Sequence, residues 1–514
     1  MVLKQLNCII LPLLLALPLF FRGQFQQVLI ANKSQGSELS IAINPAKPRE
    51  VLAASSSGFY ASDNDTGRTW HKSGFSCRRF DLYQDPLALW LDQDVCYSHV
   101  SPQDTNVMSV TYYNSAQIFQ SDCYRMKLSQ DKVIEHLRLH CEPASHNQHK
   151  VWTQLDKPGS KDSRDSSFIM YAFSSYRGWG WDKLMRISVE GGNCSKGDST
   201  LMGATCCTGP NREVYAAWAG PKGLMFRNLS DTNTHSEKAI FPMKNGWLYS
   251  VGKYTSNGLP TMACDLSPGE HRGRLYVCWS DERHGPHNKN VFLSYSDDQG
   301  ENWTEPIVVT YRPNHKEQFM PFMTIDQSNG TLYILYYDQQ NFVAGDLADL
   351  YLAQSKNGGL KFDYYRVNTT AIKPHPTWSY GKCLALSAVN GIVRPIWMQS
   401  DKKGQVNIYT ALIDEAALKA YNKNYSEKIL IQKTFTWSPK IKIDFTLKNS
   451  STISAIITKP LEAGFEKTVV KNKKMSKGRN SLVVDTKKLG LQKGNYTLTL
   501  YYKHGNTFVW IIEE

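Results

Sequence analysis

The stretch SYSDDQGENW, residues 294–303, sets Ser296, Asp298, Gly300 and Trp303 in a fixed order of hydroxyl, carboxylate, glycine and aromatic. Two further stretches repeat it. DNDTGRTW at 63–70 supplies Asp65, Gly67 and Trp70, and SKNGGLKF at 355–362 supplies Ser355, Asn357, Gly359 and Phe362. In each, a short polar side chain can cap backbone N–H groups of a turn, and glycine permits positive φ. The aromatic then folds back over the turn. All three follow a strand-like run, so the motif reads as a lock on a β-hairpin.

Working outward, the neighbouring strands also recur. EVYAAWAG (213–220), RLYVCWSD (274–281), TLYILYYD (331–338) and IVRPIWMQSD (392–401) share a central aromatic. Those aromatics, Trp218, Trp279, Tyr336 and Trp397, are spaced by 61, 57 and 61 residues. A second strand follows each, as in NVFLSYSDD at 290–298, and polar or glycine-containing turns separate them. This is the pattern of an antiparallel meander. Weaker units over 38–70, 85–124 and 150–190 bring the count to seven, with six as the alternative. Sheets repeated at this period close radially into a β-propeller. The expected class is therefore all-β.

The three turn motifs resemble the Asp-box of bacterial neuraminidase repeats, the hairpin signature of sialidase-like propellers. Segments such as SELSIAINP, GPNREVYAAWAGPKGLMF and RLYVCWSDERHG extend that resemblance over about residues 36–413, to exported bacterial proteins of the glycosyl-hydrolase-like Asp-box group. The resemblance implies a six- or seven-bladed propeller, glycan ligands and a structural role for the boxes on the outer rim. It carries over no catalytic residue. Sialidases bind a carboxylate with converging arginines, the first in an Arg-Ile-Pro motif, and that motif is absent; Arg394-Pro395-Ile396 is scrambled and lies in the last unit, and Arg78 and Arg79 sit in a cysteine-containing loop.

Three divisions are expected. Residues 1–23 read as a secretory signal peptide, with Lys4 ahead of an apolar run from Ile9 to Phe21 and a cut near Gly23; an uncleaved anchor is the competing reading. Residues 24–425 hold the propeller. Residues 426–514 alternate like a small immunoglobulin-like β-sandwich, and the loose pattern through Gly478, Asn480, Leu482, Asp485, Gly494, Tyr496 and Leu498 resembles C-terminal sorting domains that direct surface secretion. An accessory module is the alternative. The chain is thus expected to be secreted or held at the cell surface, and monomeric.

The net charge of +13 suggests nucleic acid until it is mapped. Residues 426–514 hold 15 Lys and 1 Arg against 7 acidic residues, whereas residues 24–425 carry a surplus of only 2. The excess belongs to the tail, so a solvated lysine face or an anionic surface is the partner, not nucleic acid. Ten cysteines follow Cys8. In an exported chain some are expected to pair, with Cys77–Cys96 and Cys123–Cys141 as local candidates. No spacing suits a metal centre. Calcium at acidic loops is allowed, but no EF-type loop requires it.

Propellers bind ligands where the innermost strands and their loops converge. Unit starts offer Glu38, Asp85, Asp265, Gln318 and Tyr380; loops after the aromatic strands offer Asp281, Arg283, His284, Asp338 and Asn341. Asp85 and Asp265 are the candidate catalytic carboxylates, facing each other as glycoside hydrolysis generally needs. Glu38, Asp281, Arg283, Asp338 and Tyr380 are candidates for substrate binding. His146, His149 and Lys150 read as a solvated loop. Two functions remain open: a propeller acting on or binding glycans, and a non-catalytic surface scaffold.

Overall fold

The computed structural model describes residues 25–512 apart from 35–37, 74–83, 92–93, 102–106, 114–121, 128–131, 143–146, 157–165, 176–179, 196, 232–236, 286, 311–315, 343–345, 378–383, 402, 426–429, 432–433, 448–449, 459–465, 495 and 503–504. The expected signal peptide and Tyr380 lie outside the described residues.

Seven antiparallel sheets follow one another along the chain. Each begins with an inner strand: Leu39–Ile43, Gln84–Leu91, Lys132–Cys141, Met202–Thr208, Thr261–Cys264, Gln318–Asp326 and Ala385–Val389. Every inner strand lies against the next, and the seventh returns to the first. The sheets are therefore blades of a seven-bladed β-propeller, and the inner strands wall an axial channel. The last blade takes its outer strand from the beginning of the propeller. Gln26–Ser34 pairs antiparallel with Val406–Leu412.

The middle strands explain the repeated aromatics. Val214–Gly220, Leu275–Asp281 and Thr331–Asp338 are buried along their whole length. A blade is covered on both faces by its neighbours, so these strands are apolar throughout rather than alternating. Trp152, Trp218, Trp279, Tyr336 and Trp397 are all fully buried.

The three turn motifs connect the third and fourth strands of blades one, five and six. In blade five, Ser296 Oγ donates to Asp298 Oδ1 (2.7 Å) and accepts from the Gly300 amide (2.9 Å), while Asp298 Oδ1 accepts from the Asn302 amide (2.9 Å). Blade six repeats this with Ser355, Asn357, Gly359 and Lys361 at 2.9, 3.0 and 3.0 Å. In blade one Asp65 receives the Arg68 amide (2.8 Å) and the Thr69 hydroxyl (2.6 Å). The glycines have φ of +82°, +90° and +89° at Gly67, Gly300 and Gly359. Each turn also leans on the preceding blade. A Cβ on Gly300 would lie 2.2 Å from the Phe226 ring, one on Gly359 2.6 Å from Leu293, and one on Gly67 3.6 Å from the Arg394 side chain. Trp303 meets Phe226 edge-on at 5.3 Å. The motif thus locks blade to blade as well as strand to strand.

Helix Glu415–Tyr425 follows the last blade, with Asp414 capping the Ala417 amide at 2.8 Å. Its Tyr421 stacks on Phe25 at 5.2 Å, fastening the start of the closing strand. Residues 430–512 form a separate β-sandwich. A three-stranded sheet (Leu430–Ile431, Lys440–Leu447, Gly478–Asp485) faces a five-stranded one across a core that includes Ile443, Val484, Ile453, Ile457 and Leu498. The edge strand Glu466–Met475 exposes Lys467, Lys471, Lys473 and Lys474, a distribution that discourages edge-to-edge pairing.

The expected cysteine bridges are corrected in part. Cys96 is a buried thiol in the second strand of blade two, so it forms no bridge to Cys77. Cys77 itself, and the side chains of Cys123 and Cys141, lie outside what is described. Cys206, Cys207, Cys264 and Cys278 are buried free thiols; burial raises the pKa of each. They behave as small apolar residues of the core. No described helix is long and apolar enough to cross a membrane.

Two glycine substitutions separate strain from packing. Gly300→Ala is expected to cost about 2–4 kcal/mol, from left-handed backbone plus collision with Phe226. Gly391→Ala, at φ +76° with nothing within 4 Å, is expected to cost only about 1 kcal/mol. Urea unfolding of both variants checks this; equal losses would remove the inter-blade role.

Candidate functional site

All inner strands run the same way along the channel, so their starts share one rim. Four of them carry a bulge there, between Gln84 and Leu87, Glu135 and Arg138, Met202 and Thr205, and Phe319 and Phe322. Each bulge holds one left-handed residue: Asp85 (φ 44°), His136 (φ 50°), Gly203 (φ 71°) and Met320 (φ 51°). Such bulges twist a strand and re-aim side chains. Only one of the four is glycine, which is why the sequence gives no signal for them.

Glu38 and Asp85 meet on this rim. Both are buried, at 6% and 7% exposure, and Glu38 Oε2 accepts the Asp85 amide at 2.6 Å. That bond supports the left-handed backbone of Asp85. Bond lengths keep the Asp85 carboxyl carbon within about 6.5 Å of the Glu38 oxygen. Asp265 is placed elsewhere. It follows the end of its inner strand, on the opposite rim, where its carboxylate accepts the Ser267 amide at 2.8 Å and stands 3.1 Å from where a Cβ of Gly330 in the next blade would be. Asp326 has the same place one blade on, gripping the Asn390 and Gly391 amides at 3.1 and 2.6 Å. The structure therefore does not bring Asp85 and Asp265 together.

Asp281, Arg283 and Asp338 lie on the Asp85 rim but are engaged locally. Asp281, fully buried, accepts the Trp279 indole N–H at 2.9 Å and a forked pair from Arg283 at 2.9 and 2.6 Å. The Arg283 guanidinium also lies 4.4 Å from the Phe292 ring centre. Asp338 accepts the Gln340 amide (2.7 Å) and the side-chain amides of Gln340 (2.8 Å) and Gln318 (3.3 Å). Asn341 donates to Asp349 at 2.7 Å. Arg394 is 3% exposed and donates to the carbonyls of Thr66, Val393 and Ile413; burial lowers its pKa to about 10. It braces the last blade against the first.

A charged cluster that the sequence did not announce lies beside this rim. Lys289, 1% exposed, pairs with Glu282 and with Glu317 (3.3 Å) under the Tyr249 ring at 4.7 Å. Tyr249 comes from the hairpin Leu248–Val251/Tyr254–Asn257 inserted between blades four and five, and bonds Ser280 at 2.5 Å. Burial opposes charge on both acids. Hydrogen bonds from Lys289 and Asn245 still hold Glu282 low, whereas burial prevails at Glu317 and raises it. Glu282, His287 and Glu317 are close enough to share a cation, but the Lys289 ammonium already supplies that charge. His149 and Lys150 are buried, not solvated. His149 bonds Glu142 and Tyr171, both at 2.9 Å.

The axial channel encloses a cavity of about 290 Å³ walled by all seven inner strands. Arg138 lines it and also the narrower pocket at its mouth. His140 lines it too, bonded to Thr208 at 2.8 Å. Neither Glu38 nor Asp85 lines either space.

Three solved structures align with the chain at low similarity. An alpha-L-arabinofuranosidase of Fusarium graminearum aligns with a TM-score of 0.42 at 10% identity, over 77% of this chain and 99% of that one. A Hadza microbial sialidase gives 0.40 at 12%, over 72% and 74%. A Trypanosoma rangeli sialidase gives 0.37 at 10%, over 83% and 84%. No family model and no curated protein matches the chain. Function must therefore be argued from its own residues.

Two measurements test these assignments. Asp281→Asn leaves Arg283 without its carboxylate and is expected to cost about 3 kcal/mol by chemical denaturation; no loss would free Asp281 for a ligand. Burial, and next the nearby His149, lower His140 to about 4 from the usual 6.5. The unfolded chain then takes up the proton first, so stability falls from about pH 6.5 to 4, by on the order of 2–3 kcal/mol. His140→Gln is expected to flatten that part of the pH profile. An unchanged slope would refute the assignment.

Proposed function

We propose that this chain is an exported, sialidase-like propeller that acts on glycans at the rim where its inner strands begin, with Glu38 and Asp85 as its acid pair. The observation that carries this reading is the Glu38 carboxylate seated on the Asp85 amide at 2.6 Å. Glycosidases set their two carboxyl groups roughly 5 to 9.5 Å apart, the shorter spacing retaining configuration. The upper bound of about 6.5 Å derived from bond lengths suits the shorter arrangement. One carboxyl group would protonate the leaving oxygen while the other attacks or stabilises the sugar cation. Left-handed Asp85 is the kind of strained, supported residue that clusters at functional sites.

The hydrogen bonds within the three turns support their reading as Asp-boxes. The signal-like start supports export, and the lysine-rich sandwich supports attachment to a surface. No cofactor is needed for this chemistry. A second reading, a non-catalytic glycan-binding scaffold, draws support from Asp265, Asp281 and Asp338, whose oxygens are committed to turns and an ion pair.

The test is a glycan array with released sugars read by mass spectrometry. Wild-type protein is expected to bind and release sugar, and Asp85→Asn to slow release by about 100-fold or more with binding and melting temperature retained. Binding without release by the wild type would favour the scaffold. Release undiminished in both Asp85→Asn and Glu38→Gln would refute the assigned pair.

A further inference from the structure

We propose that the axial channel is a binding site for an amphipathic monoanion, a carboxylate on a short apolar chain, with its head group held by Arg138. The site is distinct from the Glu38–Asp85 pair and does not rest on the glycan reading. Its walls are mainly apolar, with Leu87, Leu139, Met262, Phe322, Met323 and Leu386 among them. Apolar walls with few placed polar groups are the usual make-up of a small-molecule site.

The charge balance then selects the ligand. Among the described residues, the Arg138 side chain forms no ion pair; its one hydrogen bond runs from Nη1 to the Leu137 carbonyl at 3.1 Å. Among the described residues, no carboxylate lines the channel or its mouth. Three of the other polar liners are already engaged within the protein. His140 bonds Thr208, Gln327 bonds the Leu266 amide and the Cys264 carbonyl at 2.7 and 2.9 Å, and Ser40 accepts the Ala88 amide at 3.2 Å. A guanidinium facing an apolar cavity is stabilised when an anion pairs with it, and its planar fork matches a carboxylate. Arg138 borders both spaces, so a head group there leaves an apolar chain to occupy the channel. A cavity of about 290 Å³ holds a chain of medium length.

The probe is octanoate, with 1-octanol as its uncharged counterpart, titrated calorimetrically into residues 24–514. Octanoate is expected to bind one to one and to raise the melting temperature more than octanol does. Arg138→Met is expected to weaken octanoate by about tenfold or more, Arg138→Lys by less, and neither to change octanol binding. Failure of octanoate to saturate the wild type, or equal octanoate affinity in wild type and Arg138→Met, would overturn the proposal. If Arg138→Met does not fold, the comparison of octanoate with octanol on the wild type decides, and equal affinities refute the role of charge. Loss of glycan release in Asp85→Asn is independent of every one of these outcomes.

Discussion

The pairing of Gln26–Ser34 with Val406–Leu412 is the constraint on which the rest of the molecule depends. It ties the first strand of the propeller to the last blade and converts seven sheets into a closed ring. Blades one and seven also share an apolar core, in which Leu39, Ile41 and Ile43 meet Ala385, Ile396 and Met398. The closure is reinforced on both sides. Phe25 stacks on Tyr421 of the helix that follows the last blade, and Arg394 reaches from that blade to the Thr66 carbonyl of the first. These contacts are remote in sequence, the kind of non-local pairing that slows folding.

Between blades, the same solution recurs with different residues. A turn of one blade is pressed against its predecessor, and at Gly300 and Gly359 only glycine leaves room for the approach. Phe226, Leu293 and Arg394 occupy the space in front of Gly300, Gly359 and Gly67. On the opposite side of the chain's repeat, Asp326 and Gln327 join the turns of adjacent blades by accepting or donating main-chain bonds. The polar residues of these turns are thus largely structural, and Asp326 and Gln327 brace the rim opposite Glu38 and Asp85.

The carboxylates fall into two groups according to what their oxygens already hold. Asp265, Asp281 and Asp338 cap turns or neutralise an arginine. Glu38 supports a left-handed Asp85 at the rim where all inner strands begin. Arg138 lines the channel and its mouth, where no described residue supplies an acid. Acid pair and unmatched cation occupy different places, so the two proposals concern different ligands.

The sequence by itself determined the all-β class and the repeat, because buried strands and tight turns demand local residue types. Trp218, Trp279, Tyr336 and Trp397 announced the blades, and Ser296 with Gly300 announced the turn. Only the tertiary structure decided that the blades number seven, since the closing strand is supplied by residues 26–34, far from the blade it completes. Only the tertiary structure separated Asp85 from Asp265, because each begins or ends an apolar strand in the sequence and the rims differ by the direction of that strand. The bulges at Asp85, His136 and Met320 were invisible for a related reason: positive φ at a residue other than glycine is imposed by the surrounding strands, not by the residue itself. The isolation of Arg138 is likewise a property of seven strands meeting, which no single stretch of chain encodes.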